Sequence, residues 1–314
     1  MKISCNKTKL PSRKTVIKRQ AGKSEYPEDG KGYQPIHSGI HNGSASAYGI
    51  DLSIPRVMGV INVTPDSFSD GGKYADLNQV IDQVRFFEQQ GVDIIDIGGE
   101  SSRPGAEPVP EQIELQRVIP VIQAMRKFTR IPVSIDTCKA NVAENALQAG
   151  ANWINDISGL KADPRMVHVA EKQDCPVIVM HMKGNPKTMQ MKPFYSDVIN
   201  EICYYFDERI HYLQRYHITK IILDPGIGFG KRLSDNLSIL KNIDRFKQFH
   251  FPLMIGTSRK SFIGEITKRE VHYRLAGSIS SIIWSVLHGV DIVRVHDVAE
   301  TIDALKVLKH IREG

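Results

Sequence analysis

Residues 132–156 read Pro132-Val-Ser-Ile-Asp-Thr-Cys-Lys-Ala-Asn-Val-Ala-Glu-Asn-Ala-Leu-Gln-Ala-Gly-Ala-Asn-Trp-Ile-Asn-Asp156. The run Pro132–Asp136 is short and rich in β-branched residues, which predicts a strand. The helical segment Asn141–Gln148 follows and stops at Gly150, a residue free to turn left-handed after a helix. A second strand-like run, Trp153–Asp156, comes next. A helix between two such runs is a crossover joining parallel strands.

The same unit repeats on both sides. Six further runs read as strands: Val57–Asn62, Asp93–Gly98, Pro176–His181, Lys220–Asp224, Pro252–Gly256 and Asp291–His296. The eight starts are spaced by roughly 33 residues, about one strand plus one helix. Leu77–Gln90 is predicted helical, with Val80, Ile81, Val84 and Phe87 on one face and a stop at Gly91. Glu111–Lys127 places Ile113, Val118, Val121, Ile122 and Met125 inward by the same periodicity. Ser196–Arg215, Tyr273–Leu287 and Ala299–Ile311 are the other long amphipathic segments. Eight strands each followed by a helix predict an α/β protein, a (β/α)8 TIM barrel, as one domain over residues 37–314. An open doubly wound sheet would show a glycine-rich turn after its first strand, where this chain has Asn62-Val-Thr-Pro65.

Composition narrows the function classes. The chain has 314 residues, 41% hydrophobic and 24% charged, which fits a water-soluble globular protein. Four cysteines without a CxxC pair exclude a disulfide framework and disfavour a cysteine-rich zinc module. The apolar run Ile279–Val286 is too short to span a bilayer and is interrupted by serines. With no apolar signal core near Met1, the expectation is a cytoplasmic protein in a reducing compartment. Of 41 basic and 35 acidic side chains, nine and three lie in the first fifty residues, so the rest of the chain is neutral. A basic tail on a neutral body argues against a specific nucleic-acid face. Residues 1–36 are read as a basic N-terminal extension, solvated and poorly ordered. The segment His37–Leu52, around His41-Asn-Gly43, is predicted to form a short hairpin.

Barrel chemistry gathers at the C-terminal ends of the strands. Those ends deliver Asn62, Asp96 with the loop Glu100–Gly105, Asp136, Asn155 with Asp156, Met180 with His181, Asp224, Ser258-Arg-Lys260, and Arg294 with His296. A structural barrel needs only a few polar groups there. Asp136, Asn155, Asp224 and Lys260 suit a flat heterocycle, because a carboxylate accepts paired N–H bonds and an amide offers donor and acceptor together. Arg103, Arg294, His296 and Asn62 suit a leaving anion such as diphosphate. The carboxylates are too few for a dedicated metal cage, so a Mg²⁺ carried in on phosphate fits better.

Other signals are weak. Gly226-Ile-Gly-Phe-Gly-Lys231 looks like a phosphate loop, but the spacing is wrong and Arg232 stands where Ser or Thr belongs, so its glycines are read as loop geometry. His181 has no neighbouring His to make a metal site, and Cys138 has no partner that would activate it.

Five motifs in order resemble dihydropteroate synthases of folate biosynthesis. They are Val60-Ile-Asn-Val-Thr-Pro-Asp-Ser-Phe-Ser-Asp-Gly-Gly72, Gly99-Glu-Ser-Ser-Arg-Pro-Gly105, Asp224-Pro-Gly-Ile-Gly-Phe-Gly-Lys231, Ser258-Arg-Lys-Ser261 and Arg294-Val-His296. The resemblance runs from about Leu52 to the C-terminus. It implies a transferase that joins 6-hydroxymethyl-7,8-dihydropterin diphosphate to p-aminobenzoate and is a target of sulfonamides. It further implies that Asp136, Asn155, Met180, Asp224, Lys260 and Arg294 hold the pterin. Phe68, Ser102, Arg103, Pro104, Phe229 and Ser258 would meet the aminobenzoate, with Ser258 at its carboxylate near a helix N-terminus. Asn62, Ser102, Arg103, Arg294 and His296 would hold the diphosphate, and Asn62 its Mg²⁺. Asp136, Lys260, Arg294, His296 and Asp70 would carry the chemistry, Asp70 by orienting Mg²⁺ or the amine. The resemblance also implies a homodimer through Tyr273–Leu287.

Two segments depart from the family pattern: Ser102 stands for the usual Thr, and Cys138-Lys-Ala140 for Tyr-Lys-Pro. Neither removes a proposed catalytic group. Two other readings share the pterin-holding residues. A pterin-binding methyltransferase barrel, partnered by a corrinoid protein, does not need the Thr-Pro-Asp-Ser-Phe-Ser-Asp loop or the Arg-x-His pair. A catalytically degenerate pterin-binding paralogue is expected to lack site residues that are present here.

Overall fold

The eight predicted runs are strands in the computed structural model, which describes residues 45–63, 72–102 and 105–314. They are β1 Arg56–Asn62, β2 Ile94–Gly98, β3 Val133–Asp136, β4 Trp153–Asp156, β5 Val177–Met180, β6 Ile221–Asp224, β7 Met254–Ile255 and β8 Ile292–Val295. Neighbours pair in parallel in the order β6-β5-β4-β3-β2-β1-β8-β7. A bridge between Leu223 and Leu253 joins the two ends, so the sheet closes into a (β/α)8 barrel. The predicted tail, the first part of the hairpin, and Phe68, Asp70, Arg103 and Pro104 lie outside the described residues.

The helices are α1 Gly72–Gln90, α2 Glu111–Met125, α3 Ala140–Ala149, α4 Met166–Gln173, α5 Val198–Gln214, α6 Leu233–Lys241, α7 Ser261–Thr267, α8 Leu275–Leu287 and α9 Val298–Glu313. The three that the periodicity does not reveal, α4, α6 and α7, have eight, nine and seven residues. About two turns is too short for a 3.6-residue repeat to stand out. One inward assignment is corrected. Ile113 is 39% exposed, and the next residue, Glu114, is fully buried instead. Its carboxylate is held by Lys139 at 2.5 Å, a partner that periodicity cannot see.

Strand residues alternate between two apolar environments, which is why the runs read as continuously hydrophobic. Val57, Ile95, Ile97, Val133 and Ile135 face the helices in the main core. Met58, Ile94, Trp153, Ile178, Ile222, Met254 and Ile292 face the axis and fill the N-terminal end of the barrel with Tyr48. The described part of the expected hairpin is a 3₁₀ turn, Ala45–Tyr48, rather than a strand. Its role is to plug that end: Trp153 Nε1 donates to the Tyr48 carbonyl at 3.1 Å, and the Tyr48 hydroxyl donates to the Ile221 carbonyl at 3.2 Å. Burial pushes the Tyr48 phenol up to about 12. Tyr48→Phe is expected to cost about 1 kcal/mol in a urea melt, the loss of one buried hydrogen bond without a cavity.

Candidate active site

At the other end of the axis the inward positions turn polar. Register brings Gly98 beside Asp136, Asp136 beside Asn155, and Met180 beside Asp224, so the side chains of Asp136, Asn155, Met180 and Asp224 share the inner face. Arg294, inward on β8, reaches between two carboxylates. Its Nε donates to Asp96 Oδ2 at 2.7 Å and its Nη2 to Asp136 Oδ2 at 2.7 Å. Asn155 Nδ2 donates to the same Asp96 oxygen at 3.2 Å, which orients the amide. Asp96 is wholly buried, so it acts as the anchor that sets both Arg294 and Asn155.

Burial moves the titrations of this cluster towards neutrality. It pushes Asp136 up to about 7 against the pull of Arg294. It also raises Asp224, although the Gly226 backbone N–H donates to that carboxylate at 2.7 Å and opposes the shift. Burial first, then the charge of Arg294, brings Lys260 down to about 8. Arg294 loses solvation too, but Asp96 and Asp136 hold its proton more tightly than usual.

An apolar wall stands beside these groups. Met180, Met189 and Phe229 form one buried cluster, and Lys260 Nζ lies 4.0 Å above the Phe229 ring. The cleft between wall and polar cluster opens to solvent. Ser102, Asp136, Asn155, Met180, Asp224, Phe229, Lys260 and Arg294 all line it. Eight of the predicted residues, from separate loops and strands, therefore meet at one site.

Asn62, Ser258 and His296 are not in that lining. Ser258 is buried and engaged: His296 N–H donates to its Oγ at 3.2 Å, and His296 Nδ1 lies 3.2 Å from the same oxygen. If the hydroxyl donates to Nδ1, His296 carries its proton on Nε2. Burial, helped by Arg294, pulls His296 down to about 4, which leaves the imidazole neutral at physiological pH. Ser258 lies three residues before Ser261, the first residue of α7. Arg259 has a left-handed backbone (φ 57°) and ties this loop to the start of α9 through a two-point ion pair with Asp297. The base of the loop after β2 is held likewise, with Lys139 between Glu100 and Glu114.

Two contributors escape the sequence reading. Asp96 appears there only as a strand end; the visible signal is a charge inside the apolar run Ile94–Gly98. Lys231 is set aside there with its glycine loop, yet it is 3% exposed and bonded on every side. Burial raises the Cys138 thiol, which agrees with an unreactive cysteine. Among the described residues no group of three or more His, Cys, Asp or Glu side chains is placed to hold a metal, and no helix is long and apolar enough to cross a membrane.

A closed barrel with carboxylates, an amide, an ammonium and a guanidinium around one flat-walled cleft defines a barrel enzyme that handles a nitrogen heterocycle. Comparison with known proteins agrees. The model of the pterin binding enzyme family matches residues 58–296. The dihydropteroate synthase of Escherichia coli K12 is 44% identical over 267 residues, 84% of this chain and 94% of that protein. That of Synechocystis is 46% identical over 254 residues, 80% of this chain and 88% of its own. Among solved structures, the Yersinia pestis dihydropteroate synthase in a sulfonamide drug complex superposes with a TM-score of 0.80 at 42% identity, covering 84% of this chain and 97% of that one. The Xanthomonas albilineans enzyme with 4-aminobenzoic acid gives 0.80 at 40%, covering 84% and 96%. The chain belongs to the pterin binding enzyme family, among its dihydropteroate synthases, and is a transferase.

Proposed function

We propose that this chain condenses 6-hydroxymethyl-7,8-dihydropterin diphosphate with p-aminobenzoate, giving 7,8-dihydropteroate and diphosphate. The observation that carries the reading is the convergence of Asp136, Asn155, Asp224, Lys260 and Arg294 on one cleft beside Met180 and Phe229. Related enzymes support it: the Xanthomonas albilineans protein has been solved with 7,8-dihydropteroate, at 38% identity and a TM-score of 0.76.

In this reading Asp224 and Asn155 pair with the edge of the pterin, and Lys260 meets its ring carbonyl and ring nitrogen. Asp136 accepts a ring N–H and favours electron release toward the methylene carbon. Arg294, already oriented by Asp96, stacks over the ring and reaches the diphosphate, with His296 as a neutral donor beside it. The carbon–oxygen bond to diphosphate breaks first and the pair of electrons leaves with oxygen. The amine nitrogen then bonds to the cationic methylene and loses a proton to solvent. No enzyme nucleophile is used, and Cys138 has none of the features of one. Phe229 walls the aminobenzoate ring, and Ser102 stands where loop and anion meet. The roles of Phe68, Asp70, Arg103 and Pro104 rest on the resemblance alone.

Mg²⁺ fits as a cation that arrives with the diphosphate. Asn62, the last residue of β1, offers one neutral oxygen ligand rather than a cage. Bound there, the ion would neutralise charge on the leaving diphosphate. We further read residues 37–314 as the catalytic domain with 1–36 as an extension, a cytoplasmic location, and a homodimer. Exposed Tyr273, Trp284 and Leu287 on and before α8 support the last.

The test is diphosphate release from the pterin diphosphate with Mg²⁺. Release is expected only when p-aminobenzoate is present, and a sulfonamide is expected to raise the KM for p-aminobenzoate without changing kcat at saturation. Pterin binding with no release under any condition would replace the synthase reading with the degenerate paralogue.

A further inference from the structure

The loop Gly226–Lys231 is held at almost every peptide. Three of its glycines have positive φ, and at two of them a side chain would strike backbone: a Gly226 Cβ would stand 2.0 Å from the His181 carbonyl oxygen and a Gly230 Cβ 2.3 Å from that of Lys183. The Gly228 N–H donates to Asn236 Oδ1 at 2.8 Å, and the Gly228 carbonyl accepts from Gln190 Nε2 at 2.7 Å. The Tyr195 hydroxyl donates to the Gly230 carbonyl at 2.9 Å. Between these contacts lies the carbonyl of Phe229, whose ring forms part of the cleft wall.

That carbonyl is the business of Lys231. The Lys231 Nζ has three partners: the Phe229 carbonyl at 3.1 Å, the His181 carbonyl at 3.1 Å and His181 Nδ1 at 3.0 Å. An ammonium has three N–H bonds, and this site provides three acceptors if His181 is neutral with its proton on Nε2. His181 is kept neutral by burial and by the nearby charge of Lys231, which lower it well below its ordinary value. A buried polar group with all its partners is a rigid joint, and one with a missing partner is not. The joint links the end of β5 to the loop after β6.

We propose that Lys231 is a positioning residue for the second substrate, acting through Phe229: it pins the Phe229 peptide to the end of β5 and so fixes the ring that walls the aminobenzoate. The inference rests on the placement of Phe229 in the proposed function. No phosphate contact is assigned to Lys231, because its three donors are spent inside the protein. Burial lowers its proton affinity to about 7, with Asp224 and Asp235 opposing and Lys260 and Lys183 adding to the fall, so all three acceptors are filled only while Lys231 is protonated.

The test compares Lys231→Met, Phe229→Ala and the double variant, each assayed for the KM of p-aminobenzoate, the KM of the pterin diphosphate and kcat. Lys231→Met is expected to raise the p-aminobenzoate KM about tenfold, the loss of a charge-assisted hydrogen bond, while the pterin KM moves less than about twofold. In the Phe229→Ala background the same change is expected to have no further effect on the p-aminobenzoate KM. Equal rises in both KM values, or full additivity with Phe229→Ala, would mean a general structural role and overturn the inference. A Phe229→Ala variant with an unchanged p-aminobenzoate KM would remove the placement of Phe229, and this inference with it, while coupled diphosphate release still upheld the overall reaction. If Lys231→Met does not fold, His181→Phe, which deletes one of the three acceptors, is expected to shift the p-aminobenzoate KM alone; no shift, or a shift in both, would overturn the inference.

Discussion

Arg294→Leu is expected to lower kcat/KM for the pterin diphosphate about 10³-fold and to destabilise the fold by about 3–5 kcal/mol at pH 8. Two effects combine. In the proposed reaction the guanidinium loses its contact with the leaving diphosphate, worth two charge-assisted bonds. In the free protein, Asp96 and Asp136 lose the cation that now bonds both at 2.7 Å, and their burial remains. The pH dependence identifies the cause. Asp136 already titrates near 7, above the ordinary carboxylate value, and Arg294 is what holds it from rising further. In the variant its folded-state value rises again. A carboxyl with a raised folded-state value favours the fold while protonated and loses that advantage as pH climbs through the raised value. The destabilisation is therefore expected to be smaller in urea melts at pH 5.5 than at pH 8. An equal loss at both pH values would mean that packing, not charge, accounts for it.

Lys260→Ala is expected to lower kcat/KM about 10²-fold, with most of the loss in pterin binding. In the proposed reaction the side chain is the cation that meets the pterin ring, and it covers Phe229 at 4.0 Å. Its value of about 8 gives a second signature. In the wild type, kcat/KM for the pterin diphosphate at saturating p-aminobenzoate is expected to be bell-shaped against pH. It falls below about 7 as Asp136 takes a proton and above about 8 as Lys260 loses one. In Lys260→Ala the basic limb should vanish while the acidic limb stays. A basic limb that persists in the variant would assign it to another group and remove Lys260 from pterin recognition.

The site was legible in proportion to how local its causes are. Each strand-end residue can be picked out because an alternating apolar strand ends in a polar side chain at the mouth of the barrel. Asp136, Asn155 and Asp224 are found this way, and all line the cleft with Lys260, which comes from the loop after β7. The short helices α4, α6 and α7 were not legible, since two turns hold too few apolar residues to define a face. Ile113 was placed inward because the helical period put it there, but Glu114 took the buried position to meet Lys139. Asp96 and Lys231 were undervalued for a related reason. Their partners come from other strands and loops: Arg294 lies 198 residues beyond Asp96, and His181 lies 50 before Lys231.

The sequence by itself determined the architecture and the chemical inventory. Backbone hydrogen bonding and apolar burial act at short range, so a strand-helix repeat can build only a few topologies, and eight units close a ring. The order of its five motifs also identified the family. Tertiary structure alone decided the pairings and the charge states. It chose Arg294 to sit between Asp96 and Asp136, turned Ser258 toward His296, and closed three acceptors around Lys231. Those choices depend on which side chains the closed barrel brings within about 3 Å, and on how much water it removes from them, because both hydrogen bonding and ionisation energies change steeply over that distance.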